Sequence, residues 1–231
     1  MWRGPDLARQ PAVVPSGLAA LDAVLPGGGW PRGALVEVLQ QSPGRHVWQL
    51  LLPALGRIMQ DEAGPVVLVA PPWHPFGPGL AAQGLRTERL LCLQAEPRAA
   101  RLWATEQALR CAQVAAVLAW LPQVRNEELR RLHLAAQQQE RLLFVFRDAK
   151  DRRQPSPATL RLLLEGIDSI ELNVLKRRGP PLVRPVQLPA TSRRLAALLA
   201  ARHSLRAPSR PPLSAAPLEE SHGLDRTAAI P

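Results

Sequence analysis

The residues best suited to chemistry lie in a short polar turn, residues 40–45, between an apolar run predicted to be a buried strand and an apolar helix. Strand, turn and helix in this order form a phosphate-binding loop, G-x-x-x-x-G-K-[ST], in which backbone N–H groups surround the phosphates, the Lys contacts the outer phosphates and the hydroxyl binds Mg²⁺. Here Gly44 is kept, but the first Gly, the Lys and the hydroxyl are replaced by Leu39, Arg45 and His46. The sequence therefore predicts a vestigial phosphate loop, defined by Ser42, Gly44 and Arg45. The strand–turn–helix order is kept, but the residues that bind the phosphates and Mg²⁺ are replaced.

The helix that follows this turn carries an apolar stripe over residues 47–59, as expected for a helix packed on a sheet. It also contains Pro53, which removes a helical hydrogen bond and clashes with the preceding turn at a cost of about 3 kcal/mol. We therefore expect the helix to be kinked or to begin at Pro53. Either outcome would displace the helix N-terminus on which a phosphate would sit.

A second group of charged residues lies near the end of the last predicted strands. Lys176, Arg177, Arg178 and Arg184 surround a predicted turn between two strands at a sheet edge, in the C-terminal third, where most of the net charge of +10 is concentrated. This basic patch is suited to the phosphates of single-stranded DNA or to an acidic partner, with a solvated charged edge as the alternative.

The two cysteines do not form a metal or redox motif. Cys92 and Cys111 lack a C-x-x-C spacing and a nearby His pair, so we expect buried, reduced thiols and no metal site. No apolar run is long enough to span a bilayer and the N-terminus lacks a signal-peptide core, which predicts a cytoplasmic protein without a membrane partner.

The pattern of the remaining chain predicts an α/β fold with a mostly parallel sheet flanked by helices. Continuous apolar runs predict strands at residues 33–39, 65–70, 90–93, 114–120 and 142–146, and alternation predicts an edge strand at 170–175. Helices are predicted at residues 17–25, 47–59, 97–112, 126–136, 160–164 and 192–203.

Two further features are ambiguous from sequence. Trp73 and Phe76 follow the second apolar strand, where α/β proteins place their sites, and would either stack on a base or partner or fold back onto their own domain. His133 lies on the apolar stripe of its helix, which favours a core histidine over a ligand. The fourth strand ends in Trp120, without the Asp that holds Mg²⁺ in phosphate-loop ATPases.

The order of these parts resembles the RecA family over residues 16–150. Four segments, residues 26–34, 50–55, 117–122 and 175–181, are more specifically similar to the translesion DNA synthesis-associated ImuA family. The resemblance implies a RecA-like fold with a decayed ATP site and no cofactor. RecA's catalytic Glu would fall near residues 70–72 and its γ-phosphate-sensing Gln near Asp148, and neither residue is present.

The resemblance also implies partners: an ImuB-like polymerase homologue, an error-prone DnaE-type polymerase, and, as further candidates, RecA and single-stranded DNA. We expect a non-enzymatic adaptor of error-prone translesion synthesis induced by DNA damage. The alternatives are a nucleotide-dependent regulator of RecA filaments that uses Arg45, and a cell-division inhibitor of the SOS response.

The expected domain organisation has three parts. Residues 1–15 form an N-terminal arm, residues 16–189 the RecA-like domain with its degenerate nucleotide site, and residues 190–231 a short helix with a flexible, disordered tail. The tail spaces a few apolar residues through a polar background, as segments that order on a partner do. Its candidate partner contacts are Leu213, Leu218, Leu224 and Ile230.

Overall fold

The computed structural model describes residues 12–167, 169–189 and 197 of the chain. The helices are α1 (Ala19–Asp22), α2 (Val47–Asp61), α3 (Gly77–Ala82), α4 (Arg98–Arg110) and α5 (Asn126–Gln138), with 3₁₀ segments at Pro26–Gly28, Thr87–Arg89 and Ala149–Arg153. The strands are β1 (Val13–Val14), β2 (Trp30–Pro31), β3 (Ala34–Gln40), β4 (Val66–Val69), β5 (Leu90–Leu93), β6 (Ala116–Trp120), β7 (Leu142–Asp148), β8 (Leu160–Glu165), β9 (Ile170–Lys176) and β10 (Val186–Leu188).

The main sheet has eight strands in the order β10-β9-β8-β3-β7-β6-β4-β5. Every neighbouring pair from β8 to β5 is parallel, whereas β9 is antiparallel to both β8 and β10. β3 lies between β7 and β8, and all seven of its residues are buried. The predicted α/β fold with a mostly parallel sheet flanked by helices is therefore confirmed.

Helices cover both faces of this sheet. On the first face, Val36, Val38 and Phe144 pack in one cluster with the apolar stripe of α2 and with Leu21 of α1. On the second face, Leu35 and Val145 pack in another cluster with α4 and α5. Because parallel strands covered on both faces are apolar at nearly every position, their sequences form the continuous runs that make them recognisable.

The prediction of a helix at residues 160–164 is wrong, because this segment is strand β8. Leu160, Leu162 and Leu164 alternate onto the first face of the sheet, while Arg161 points to the other face and binds Glu37 of β3. The short apolar run fits a helical stripe and a strand equally well, and pairing with β3 and β9 decides in favour of the strand.

Of the two alternatives predicted for Pro53, a kinked helix or a helix that begins there, the second is wrong. α2 runs continuously from Val47 to Asp61 with Pro53 at an exposed interior position. The N-terminus of α2 therefore follows the vestigial phosphate loop directly, as the motif requires. Among the described residues, no helix combines the length and apolarity that crossing a membrane requires.

The thiols differ from expectation as well. Cys92 on β5 is half-buried, and burial raises the pKa of its thiol, whereas Cys111 at the end of α4 is exposed. Both cysteines are free. The prediction of two buried thiols is therefore wrong.

Candidate functional site

A cleft of about 530 Å³ opens at the carboxyl ends of the parallel strands. This edge, which we call the carboxyl edge, is where α/β folds place their ligand sites, because the loops that follow neighbouring strands meet there. The side chains and backbone that line the cleft belong to Gln40, Pro43, Ala70, Pro71, Pro72, His74, Gln94, Glu96, Arg101, Trp120, Pro122, Phe146, Arg147 and Asp148.

The vestigial phosphate loop lies beside this cleft. Groups of the same chain occupy the hydrogen-bonding positions that a phosphate would use. The Gln40 side chain, buried at the end of β3, donates from Nε2 to the Arg45 carbonyl at 2.6 Å. Its Oε1 accepts from the Gly44 N–H at 3.4 Å, and the Arg45 N–H donates to the Ser42 carbonyl at 3.2 Å. Two of the N–H groups that a phosphate would need are therefore used within the turn.

The loop after β4 covers the same turn from outside. A Cβ placed on Gly44 would lie 3.0 Å from Pro72 Cγ and 3.2 Å from Trp73 Cδ1, so a larger residue would push these two side chains outward by a few tenths of an ångström. Gly44 also has a positive φ of 79°, a backbone conformation that favours glycine. The glycine that resembles the remnant of a phosphate motif thus serves as a packing surface for Pro72 and Trp73.

The helix side of the turn is held by His46. This residue adopts the left-handed conformation at φ 61°, and its Nε2 lies 3.1 Å from the Gly166 carbonyl in the loop after β8. His46 therefore ties the turn to the neighbouring strand, at the position where the motif has a metal-binding hydroxyl. Arg45 is exposed.

The aromatic loop, which we define as Trp73 and Phe76, projects into solvent next to the cleft. The side chains are 76% and 74% exposed, while Pro72 and Trp73 pack on Gly44, so the loop folds onto its own domain and still leaves most of both aromatic side chains in solvent. The Phe76 ring lies close to Gly79 of α3, where a Cβ would be only 2.8 Å from Phe76 Cδ1. Two large exposed aromatic side chains within four residues form a surface suited to binding a partner.

The floor of the cleft is aromatic. Trp120 and Phe146 stack with ring centroids 4.5 Å apart at an interplanar angle of 19°. Trp120 is the last residue of β6, so its indole lies at the carboxyl edge. At the rim, Asp148 ends β7 and accepts a hydrogen bond from the Lys150 N–H at 2.9 Å, which lowers the pKa of its carboxyl group.

A buried ion network below the cleft was not anticipated from sequence. Glu37, fully buried on β3, accepts from Arg147 Nη1 at 2.7 Å and from Arg161 Nε at 2.6 Å. Asp151 and Gln154, in and just after the 3₁₀ segment Ala149–Arg153, lie 3.2 Å and 2.7 Å from Arg147 Nη2. We call Glu37, Arg147, Asp151 and Arg161 the buried ion network. Its only sequence signal was a Glu between Val36 and Val38 in an otherwise apolar strand.

The basic patch lies at the opposite side of the sheet, which we call the amino edge. β9 runs antiparallel to β8, so Lys176 at its end lies beside the start of β8, opposite Arg161 in register. Lys176, Arg177 and Arg178 line one pocket there, together with His133. Arg184 is exposed and is not among the residues that line this pocket. Three of the four predicted patch residues are thus brought together.

His133 is held by a backbone hydrogen bond, in keeping with its interpretation as a structural histidine. Its Nδ1 accepts from the Leu35 N–H at 3.0 Å, which joins α5 to the start of β3. Burial lowers the pKa of the imidazole, and the nearby positive charge of Lys176 lowers it further. Both effects favour the neutral ring that accepts this bond.

Other predicted positions fall outside the described residues. These are most of the N-terminal arm, the predicted helix at 192–203 apart from residue 197, and the tail contacts Leu213, Leu218, Leu224 and Ile230. Their assignments stay predictions.

Comparison with known proteins gives one partial similarity. No protein-family model matches the chain. A 96-residue stretch is 35% identical to the cell division inhibitor SulA of Pseudomonas aeruginosa. The alignment covers 41% of this chain and 59% of SulA, so the chain spans about three fifths of the length of the curated relative that it matches. The similarity therefore concerns a part of each protein.

Proposed function

We propose that this chain is a non-enzymatic binding protein of the bacterial DNA-damage response, which acts as an adaptor in error-prone translesion synthesis. The observation that carries this proposal is the occupied phosphate loop. Inside the turn, Gln40 Oε1 accepts a hydrogen bond from the Gly44 N–H, while Pro72 and Trp73 pack on Gly44 from outside. A phosphate would have to displace both contacts before it reached the loop.

The residues at the catalytic positions support the same proposal. Transfer of a phosphoryl group depends on a Lys, on Mg²⁺ ligands and on a group that positions the nucleophile. At the corresponding positions the chain has Arg45, His46 and Ala119. His46 contacts the Gly166 carbonyl, and Trp120, next to Ala119, stacks on Phe146. The sheet order, with the turn directly between β3 and α2, is compatible with a RecA-like scaffold that has lost this chemistry.

The aromatic loop is the surface that we assign to the partner. Trp73 and Phe76 are the two most exposed aromatic side chains among the described residues, and Gly44 and Gly79 support their rings. Aromatic side chains already ordered before binding lose little conformational entropy on association and frequently dominate interface energies. The partners in this proposal are an ImuB-like polymerase homologue and, through it, an error-prone DnaE-type polymerase.

The decisive experiment measures binding of the purified polymerase-like partner by calorimetry and size-exclusion chromatography. Trp73→Ala combined with Phe76→Ala should weaken binding by about 2 kcal/mol or more, as expected for a central aromatic contact. Trp103→Ala is the matched control, because Trp103 is 65% exposed on α4 and does not line the cleft. Equal losses in both variants, or none in either, would contradict the assignment of this surface.

A steady-state ATPase assay with single-stranded DNA tests the non-enzymatic part of the proposal. We expect no turnover above the background of the buffer. Turnover that disappears in Arg45→Ala would contradict the proposal and favour the nucleotide-dependent regulator of RecA filaments.

A second candidate function is inhibition of cell division, and the observation that favours it is the 35% identity to SulA. Both candidates act by binding a protein, so the structure of the site does not separate them. Experiments in cells separate them. Overproduction of an inhibitor should give long undivided cells, whereas deletion of an adaptor should lower damage-induced mutagenesis without a change in cell length. Filamentation with unchanged mutagenesis would replace the adaptor proposal by the inhibitor.

A further inference from the structure

The pocket at the amino edge is separate from the cleft described above and has a volume of about 480 Å³. It lies between the starts of β3 and β8, the end of β9 and one side of α5. Segments that are distant in the chain, from Pro26 to Arg178, contribute to its lining. The tertiary structure therefore brings them together at one concavity.

The charges that line this pocket are all positive. None of its described lining residues is acidic, whereas four are Arg or Lys. Arg32 is neutralised by an ion pair with Glu62. Within the described part of the chain, no carboxylate forms an ion pair with Lys176, Arg177 or Arg178. The pocket thus has an excess of positive charge that an anion would neutralise.

The donors in the pocket are partly fixed by the backbone. Arg177 donates from Nε to the Pro180 carbonyl at 2.7 Å and from Nη1 to the Val24 carbonyl, which holds the guanidinium between two loops. Lys176 donates to the Ser156 carbonyl at 3.1 Å and keeps two further N–H groups for a ligand. Arg178 is exposed at the rim. A guanidinium that is already positioned loses little entropy when it binds an anion.

The pocket is also lined by His133 and by apolar groups. Because His133 Nδ1 accepts from the Leu35 N–H, the neutral ring carries its hydrogen on Nε2, which is a donor. Pro26, Pro31 and Pro157 provide an apolar surface. A cationic rim beside an apolar surface suits a ligand that combines a phosphate with a sugar or a base.

We propose that the amino-edge pocket binds a phosphate group, with Lys176, Arg177 and Arg178 as its cationic contacts. This inference goes beyond the adaptor function, because it assigns a second ligand site on the edge opposite the aromatic loop. The phosphate belongs either to the backbone of a single-stranded nucleic acid or to a free phosphate compound. Both sources present the same anionic oxygens to Arg and Lys.

The test uses the full chain and two probes. Sodium pyrophosphate is titrated by calorimetry, and a fluorescein-labelled single-stranded oligothymidylate by anisotropy at several salt concentrations. The test variant carries Lys176→Ala and Arg178→Ala, both at exposed positions. Arg184→Ala is the control. It removes one positive charge from the connection between β9 and β10, and Arg184 does not line the pocket. Circular dichroism verifies that each variant is folded.

The double variant should bind at least one probe about tenfold more weakly or worse, since it removes two cationic side chains that donate charge-assisted hydrogen bonds to the phosphate. Arg184→Ala should bind within about twofold of the unmodified chain. If the nucleic acid is the source, the log–log salt slope should fall by about 0.7 for each phosphate that the variant no longer neutralises. If a free phosphate compound is the source, pyrophosphate alone should bind more weakly to the variant.

An independent readout is the imidazole of His133 in proton NMR spectra. An anion bound beside Lys176 should offset its positive charge and raise the pKa of His133, which the lysine lowers in the free protein. The proposal is overturned if neither probe binds, if Arg184→Ala weakens binding as much as the double variant, or if the pKa of His133 is unchanged at saturation.

Discussion

The buried ion network offers the sharpest test of how this fold is stabilised, and Glu37→Gln is the perturbation. Glutamine has nearly the volume of glutamate, so the substitution leaves no cavity and changes only charge and hydrogen bonding. The Glu37 side chain is fully buried and accepts one hydrogen bond from each of two buried arginines. A glutamine offers one oxygen and one N–H₂ group there, so either Arg147 or Arg161 must face a donor.

The magnitude follows from the charges that remain. Glu37 and Asp151 balance Arg147 and Arg161, and removal of one carboxylate leaves one excess positive charge at side chains that are 9% exposed or less. Removal of one partner from a buried ion pair costs about 3 to 5 kcal/mol, since it leaves a charge without compensation. In a domain of this size that loss lowers Tm by roughly 6 to 20 °C.

The assay is urea unfolding followed by circular dichroism, with a check that the denaturant slope is unchanged. Asp61→Asn is the control, because the Arg57–Asp61 pair is 61% and 70% exposed at a distance of 4.0 Å. Its free energy of unfolding should change by less than about 1 kcal/mol. Arg161→Met in the Glu37→Gln background removes the excess cation, so the double variant should lose less than the sum of the two single losses.

Two results would refute this reasoning. One is a Glu37→Gln variant as stable as the Asp61→Asn control. The other is strict additivity of Glu37→Gln and Arg161→Met, which would mean that the two side chains do not interact.

Three further predictions concern stability and the vestigial phosphate loop. Gly17→Ala should destabilise the chain by about 1 to 3 kcal/mol, because Gly17 has a φ of +77° and the new Cβ would lie 2.5 Å from Pro53 Cβ. The control is Gly56→Ala in α2, whose Cβ meets no atom within 4 Å. In the same unfolding assay it should stabilise the chain by roughly 0.5 kcal/mol. Gln40→Leu should speed hydrogen exchange at the Gly44 amide, whereas Gln41→Leu, at an exposed neighbour, should leave it unchanged. Lowering the pH from about 7.5 to about 5.5 should destabilise the unmodified chain more than the His133→Gln variant. The pKa of His133 is lowered on folding, so the unfolded state binds the proton first, whereas glutamine does not titrate and keeps an acceptor for the Leu35 N–H. Equal losses of unfolding free energy in the two proteins would contradict this prediction.

The sequence by itself predicted the features that depend on neighbouring residues. Strand β3, helix α2 and the turn between them are visible as an apolar run, a polar interruption and a helical stripe. The replaced residues of the phosphate motif are visible too, because the motif is a contiguous string. The mostly parallel sheet followed because strands covered on both faces are apolar at nearly every position.

Tertiary structure decided what depends on partners distant in the chain. β8 is a strand because it pairs with β3, more than 120 residues earlier, and nothing in its local pattern excludes a helix. Glu37 is stabilised in the core by Arg147 and Arg161, which are 110 and 124 positions away. The amino-edge pocket likewise joins His133 to Lys176 only because β9 ends beside the start of β8, the strand next to β3. Apolar periodicity records which face of a segment is buried, but it carries no information about which distant segment covers that face, and charge pairing and pockets are set by that choice.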